Sequence, residues 1–440
     1  MPLKIHGANI VMYGRRMDRF RAFLESGAGR KAIHAKRERR RVSIFIDGIE
    51  PKSKKMPQTE KSKLQAAIAD HLTLFKRQAF TGNIALKLQL YTTDKNAPQA
   101  HTIAKNLLDL FGLKGSDVEW PRKHLLYKDD KQIQVLSVSC RHGNIEPSIF
   151  VEAAPLSVML EDLRIAAEAS REDEMSLDAL YQEDMATDWI GDYRKLVENE
   201  AKSRADYGVL YEPFLKLSRV NAQQALLKKA GVGISVLNWL YEDPLSKLGG
   251  FAASDWANLI SRSILRLQFG ELPIAPGSSK LFKERVAAEV QAFKERWAWI
   301  IDPLEVAVGL EVIVRPNPNT PPDVLHDLDN IVRDYLIPEI VPGFKTVSDP
   351  LWLVDWEAME KADVNSGNKA WSLLRSTPRL PASTKSGVTR YEVWRLPAVV
   401  GQPGILSVAL TADTDGRGDL IDRIQKHVKE TVSREEKRRW

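Results

Sequence analysis

The 440-residue chain has a single cysteine, Cys140, which excludes a disulfide framework and cysteine-rich zinc modules and points to a reducing compartment. No run approaches the roughly eighteen consecutive apolar residues of a membrane span. The opening Met1-Pro2-Leu3-Lys4 lacks the charged-then-apolar layout of a signal peptide, so a cytoplasmic protein with no membrane partner is expected. A Gly-x-x-x-x-Gly-Lys-Ser/Thr phosphate loop, a His-Glu-x-x-His helix and a Gly-x-Ser-x-Gly elbow are also missing, which sets aside the chemistries they carry. Cys140 lies beside Arg141-His142, but sequence neighbours seldom meet with catalytic geometry, so no thiol nucleophile is expected. What is present, 43% apolar and 28% charged residues, suits a globular chain long enough for several domains.

Charge is laid out in blocks. Residues 1–41 hold twelve Lys or Arg against three acids, whereas residues 152–200 hold fourteen acids against four bases. The first block ends in Lys36-Arg37-Glu38-Arg39-Arg40-Arg41, a basic arm that suits a phosphate backbone because each neutralised phosphate releases counterions. The same arm could instead lie on the acidic segment.

From Val42 the pattern becomes regular. Val42–Asp47 alternates like a strand and ends at Gly48. The Pro-containing loop Ile49-Glu50-Pro51-Lys52-Ser53-Lys54-Lys55 leads to a helix from Thr59 through Phe75. Ile84–Tyr91 alternates again, a helix follows from about Gln99 to Phe111, and Gln132–Ser139 reads as a strand. A similar order recurs later: Leu265–Phe269 as a strand closed by Gly270-Glu271-Leu272-Pro273, Lys280–Trp299 as a helix, Pro303–Val314 as a strand, and His326–Ile340 as a helix. Apolar spacing makes residues 150–262 helical. The expected division is a basic arm (1–41), a first lobe (42–149), an acidic helical insertion (150–262), a second lobe (263–412) and a charged C-terminal helix (413–440).

Two places offer chemistry. His326-Asp327-Leu328-Asp329-Asn330-Ile331-Val332-Arg333 opens a helix with two carboxylates and an amide, hard oxygen donors of the kind that hold Mg²⁺. The same residues suit ordinary helix capping, and Arg333 is placed for an ion pair with Asp329. Asp129-Asp130 stands before a strand, where only one of two adjacent acids can point into a site; a turn-forming pair is the plain alternative. The tryptophans, Trp394 among them, read as core or interface residues rather than base-stacking groups.

The Gly-x-x-Pro loop with its basic residues, the helix opening Asp-x-Asp-Asn-x-x-Arg, and Asp-Asp-x-x-Ile on a strand resemble the RusA family of Holliday-junction resolvases. The resemblance spans about 42–142 and, more loosely, 263–410. It implies an α+β fold of two RusA-like lobes in one chain, a pseudo-dimer joined by the helical insertion. It also implies Mg²⁺ (or Mn²⁺) as cofactor and branched DNA as partner, with strand cleavage as the activity.

The matching site residues are Asp327, Asp329, Asn330 and Arg333, with Asp349 or Asp355 as a third metal ligand. The first copy places Gln99 and His101 where the family has its paired acids, so Asp129 or Asp130 could instead cross over to form one composite site. Lys52, Lys54, Lys55, Lys105, Lys280, Ser278, Ser279, Arg39, Arg40 and Arg41 are the expected phosphate contacts. The competing expectation is a non-cutting DNA-binding or scaffolding subunit of a larger bacterial DNA-processing or defence complex, which takes a protein partner through the acidic insertion.

Overall fold

The computed structural model describes residues 27–94, 99–142, 144–174, 188–242, 247–248, 251–274, 279–306, 308–321, 324–343, 388–412 and 419–437. The chain enters through helix α1 (Gly27–Glu38) and strand β1 (Val42–Asp47). Helix α2 (Gln58–Leu74), strand β2 (Ile84–Tyr91), helix α3 (Ala100–Gly112) and strands β3 (Ile133–Arg141) and β4 (Ser148–Pro155) follow. A helical stretch comes next, with α4 (Leu156–Glu174), α5 (Trp189–Glu198), α6 (Glu200–Tyr207), α7 (Tyr211–Ala230), α8 (Ile234–Tyr241) and α9 (Ala253–Ser261). The remainder is strand β5 (Leu267–Gln268), helix α10 (Ser279–Ile301), strand β6 (Val308–Arg315), a helical run opening at Leu328, strands β7 (Val388–Arg395) and β8 (Ile405–Ala412), and helix α11 (Leu420–Lys437).

Eight strands form one mixed sheet, β1-β4-β2-β3-β7-β6-β8-β5, with helices on both faces, in keeping with the α+β class expected. In one half β1–β4 and β4–β2 are antiparallel and β2–β3 parallel. In the other half β5–β8 and β8–β6 are antiparallel and β6–β7 parallel. Even the register slip recurs, at Ile84/Ala85 in one parallel pair and Val308/Gly309 in the other. Gly48 and Gly270, which open the matching Gly-x-x-Pro loops, both have φ of 69°, a left-handed conformation that favours glycine.

The halves are not bridged by helices alone. Strands β3 and β7 pair antiparallel, with Val138 opposite Tyr391 and Leu136 opposite Val393. This contact removes two exposed strand edges at the middle of the molecule. β4 runs across the expected boundary at 149/150, and helix begins only at Leu156.

Burial follows position in the sheet. β1, at an edge, buries Val42, Ile44 and Ile46 and exposes the residues between. β6 is buried at every position, because helices cover both of its faces. Leu86, Leu88, Leu136, Val312 and Val393 point into one core, shared with α2, α3, α10 and the run from Leu328. Ala85, Val135, Ile313 and Trp394 point into the other, shared with α4, α8, α9 and α11. Burying a side chain of this size contributes about 1.5–3 kcal/mol.

Candidate functional site

The parallel crossovers of both halves bring their helices together over the central β3–β7 pair. α3 buries Ile103, Ala104, Leu107, Leu108 and Phe111 and thereby turns Lys105 and Asp109, one helical turn apart, toward the other half. From that half, Asp329 sits in the short α-helical turn Leu328–Asn330, which passes directly into a π-helical turn over Ile331–Leu336. Such widened turns are rare and recur at functional sites.

Lys105 Nζ lies 3.3 Å from Asp329 Oδ2, 3.4 Å from Asp109 Oδ1 and 3.7 Å from Asp130 Oδ2. Of these acids Asp329 is buried, with its side chain 3% exposed, whereas that of Asp109 is 47% exposed. A single ammonium group therefore ties together carboxylates from three chain segments and both halves.

The local turn decides which of Asp129 and Asp130 takes part. Asp129 caps the 3₁₀ turn Asp130–Gln132: its Oδ1 accepts from the Lys131 amide at 2.8 Å, and Gln132 Oε1 accepts from the Asp129 amide at 3.1 Å. That occupation leaves Asp130 to face Lys105.

Asp327 does not cap its helix through its side chain. Its Oδ2 accepts from Asn330 Nδ2 at 3.0 Å, while Asn330 Oδ1 is buried with no hydrogen-bond partner among the described residues. Arg333 makes a two-pronged pair with Asp334, at 2.6 and 2.7 Å, rather than the pair with Asp329 that its spacing suggested.

Electrostatics follow from burial and this crowding. Burial pushes the Asp130 carboxyl up to about 6, with Asp327, Asp329 and Asp109 adding to the rise and Lys105 opposing it. Burial raises the Asp329 carboxyl as well, again against Lys105. Burial works against the charge on Lys105, yet Asp329, Asp109 and Asp130 together hold its pKa above the ordinary value. His101 is lowered by burial and then by Arg333 across the interface. Tyr391, on β7, has a buried hydroxyl without a hydrogen-bond partner among the described residues, and burial raises it well above the usual phenol value.

The residues as placed do not fit a divalent ion. Lys105 already supplies the positive charge at the point where the carboxylates converge. Among the described residues, no group of three or more His, Cys, Asp or Glu side chains is disposed to hold a metal. Asp349 and Asp355 lie outside the described residues.

The expected phosphate contacts divide. Arg39, Arg40, Lys54, Lys55 and Lys280 are exposed. Lys52 is held by Glu60 at 3.1 Å, and Lys105 is directed into the acids rather than outward. Ser279 begins α10, and Ser278 lies outside the described residues.

Arg41 is the clearest correction. Its side chain is 5% exposed and pairs with Asp162 and, at 3.2 Å, with Glu152, while Arg37 meets Asp162 at 2.9 Å. The end of the basic arm therefore lies on the acidic segment, because Asp162 is 1% exposed and must be paired there. Of the tryptophans, Trp394 is fully buried and Trp239 stacks on Trp256 at 4.2 Å.

Asp109 and Tyr391 were missed as site residues. The four-residue spacing of Lys105 and Asp109 was the signal available for the first; none existed for the second. No protein-family model, curated protein or solved structure matches this chain.

Proposed function

We propose that this chain is a RusA-like protein of two lobes in one polypeptide that binds branched or distorted DNA without cutting it. The observation that carries the reading is Lys105 Nζ, which lies within 3.7 Å of Asp109, Asp130 and Asp329 where a cutting centre would need a divalent ion. A lysine fixed in that position neutralises the acids and cannot lower the pKa of a bound water as a metal does.

The two-lobe part of the reading is supported by the matching strand order and pairing senses on either side of the β3–β7 contact. A duplex arm would meet Lys54 and Lys55 on one half and Lys280 on the other, all exposed and borne on or beside the Gly-x-x-Pro loops. Such contacts are electrostatic, so affinity should fall steeply with salt.

The test is binding and nicking of a labelled four-way junction against matched linear duplex, with Mg²⁺ or Mn²⁺. Salt-sensitive, junction-selective binding without nicking is expected. Nicking that disappears in Asp329→Asn would reverse the non-cutting part of the proposal, and failure to bind any DNA would remove the proposal itself.

A further inference from the structure

A second feature lies in the half that contains β5–β8, beside the turn that carries Asp327 and Asp329. Between the loop after β5 and the ends of β6 and β7 is a small cavity of about 30 Å³. That is about twice what one water needs, enough for two oxygens of an oxyanion and too little for a nucleoside.

Its walls include Arg315 and Arg395, the last residues of β6 and β7, which are 3% and 5% exposed. Arg315 directs Nε and one Nη at the Pro403 carbonyl, at 3.3 and 3.1 Å. Arg395 donates through Nη2 to the His326 carbonyl, while its Nη1 is buried with no hydrogen-bond partner among the described residues.

Two acids are near. Asp327 favours the charged form of Arg395. Glu271 lines the wall, and its Oε1 accepts from the Gly404 amide at 2.7 Å and Asn317 Nδ2 at 3.0 Å. Burial lowers the pKa of both arginines, that of Arg395 to about 10, with Asp327 opposing the shift.

We propose that this cavity is an oxyanion site for a phosphate group, bound between Arg315 and Arg395 with Arg395 Nη1 as a donor. Two guanidinium groups at the ends of neighbouring strands offer charge-assisted hydrogen bonds to phosphate oxygens, and the cavity takes up two of those oxygens while the rest of the group stays outside. The source could be free phosphate or the terminal phosphate of a nucleic acid strand, and the site does not depend on the DNA reading above.

The experiment titrates the full chain with inorganic phosphate, and separately with a 5′-phosphorylated trinucleotide and its 5′-hydroxyl counterpart, by calorimetry. Phosphate is expected to bind, with affinity at least tenfold weaker in Arg395→Met and severalfold tighter in Glu271→Gln. The latter keeps the Oε1 acceptor and so should leave the fold intact. Preference for the phosphorylated trinucleotide over its hydroxyl counterpart would identify a strand end as the source; binding of inorganic phosphate alone would identify the free anion. No binding at millimolar phosphate, or affinities that neither variant changes, would overturn the proposal.

Discussion

Replacing Lys105 with methionine keeps the aliphatic stem and removes the charge that three acids share. At 3.3 Å and an effective dielectric constant of about 20, the gross attraction to Asp329 is about 5 kcal/mol, much of it offset by desolvation. Removing one partner of a buried pair nonetheless costs about 3–5 kcal/mol, because the other charge is left behind. Asp329, 3% exposed, carries most of that penalty; Asp109, 47% exposed, is screened by water and adds little.

A loss of about 3 kcal/mol at pH 7.5 is therefore expected, read as a lower urea midpoint with an unchanged slope. The pH dependence has a definite sign. Asp130 sits at about 6 in the folded chain against an ordinary 3.8, so between those values the native state holds more protons than the unfolded one and stability falls as pH rises. Without Lys105, Asp130 and Asp329 lose the charge that opposes their upward shift, so the variant should recover much of its loss near pH 5. Equal losses at pH 5 and 7.5, or an unchanged midpoint at pH 7.5, would refute the reasoning.

Other expectations concern the frame. Arg41→Gln, which leaves the buried Asp162 with Arg37 alone, should lower stability by about 1.5–3 kcal/mol in chemical denaturation and leave the salt dependence of DNA binding unchanged. Gly48→Ala and Gly270→Ala should each cost about 1–2 kcal/mol, since both positions have φ of 69°; the second should cost more, because the new Cβ would meet Arg285 Nη1 at 3.0 Å. Leu88→Ala, at a fully buried site in β2, should lower the thermal midpoint by the equivalent of about 2–5 kcal/mol. Asp419 is pushed up to about 6 by burial, with Asp422 adding to the rise, so its contribution to stability declines between about pH 4 and 6; Asp419→Asn should flatten that part of the stability profile.

Much of the frame was legible because local chemistry and tertiary environment agree. Val42–Asp47 and Ile84–Tyr91 alternate or run apolar as strands should, and the glycines that end the first strand of each half occupy left-handed turns. Ser148–Pro155 escaped notice because its apolar run passes straight into helix at Leu156, with no turn residue to mark the change. The meeting of Lys105 with Asp130 and Asp329 was only one of several arrangements the residues allowed. It depends on β3 pairing with β7 across more than 240 residues, which no local pattern encodes. Arg41 illustrates the same limit for charge. A basic run is equally suited to phosphate and to a buried carboxylate, and only the packing of α4 puts Asp162 beneath it.

The most direct test of the account is one gel measurement: a labelled four-way junction incubated with the intact chain, with Lys105→Met and with Asp329→Asn, in Mg²⁺ and at two salt concentrations. The account predicts that all three bind the junction in preference to linear duplex, more weakly at the higher salt, and that the intact chain leaves every strand whole. Junction nicking by the intact chain that is lost in Asp329→Asn would contradict it.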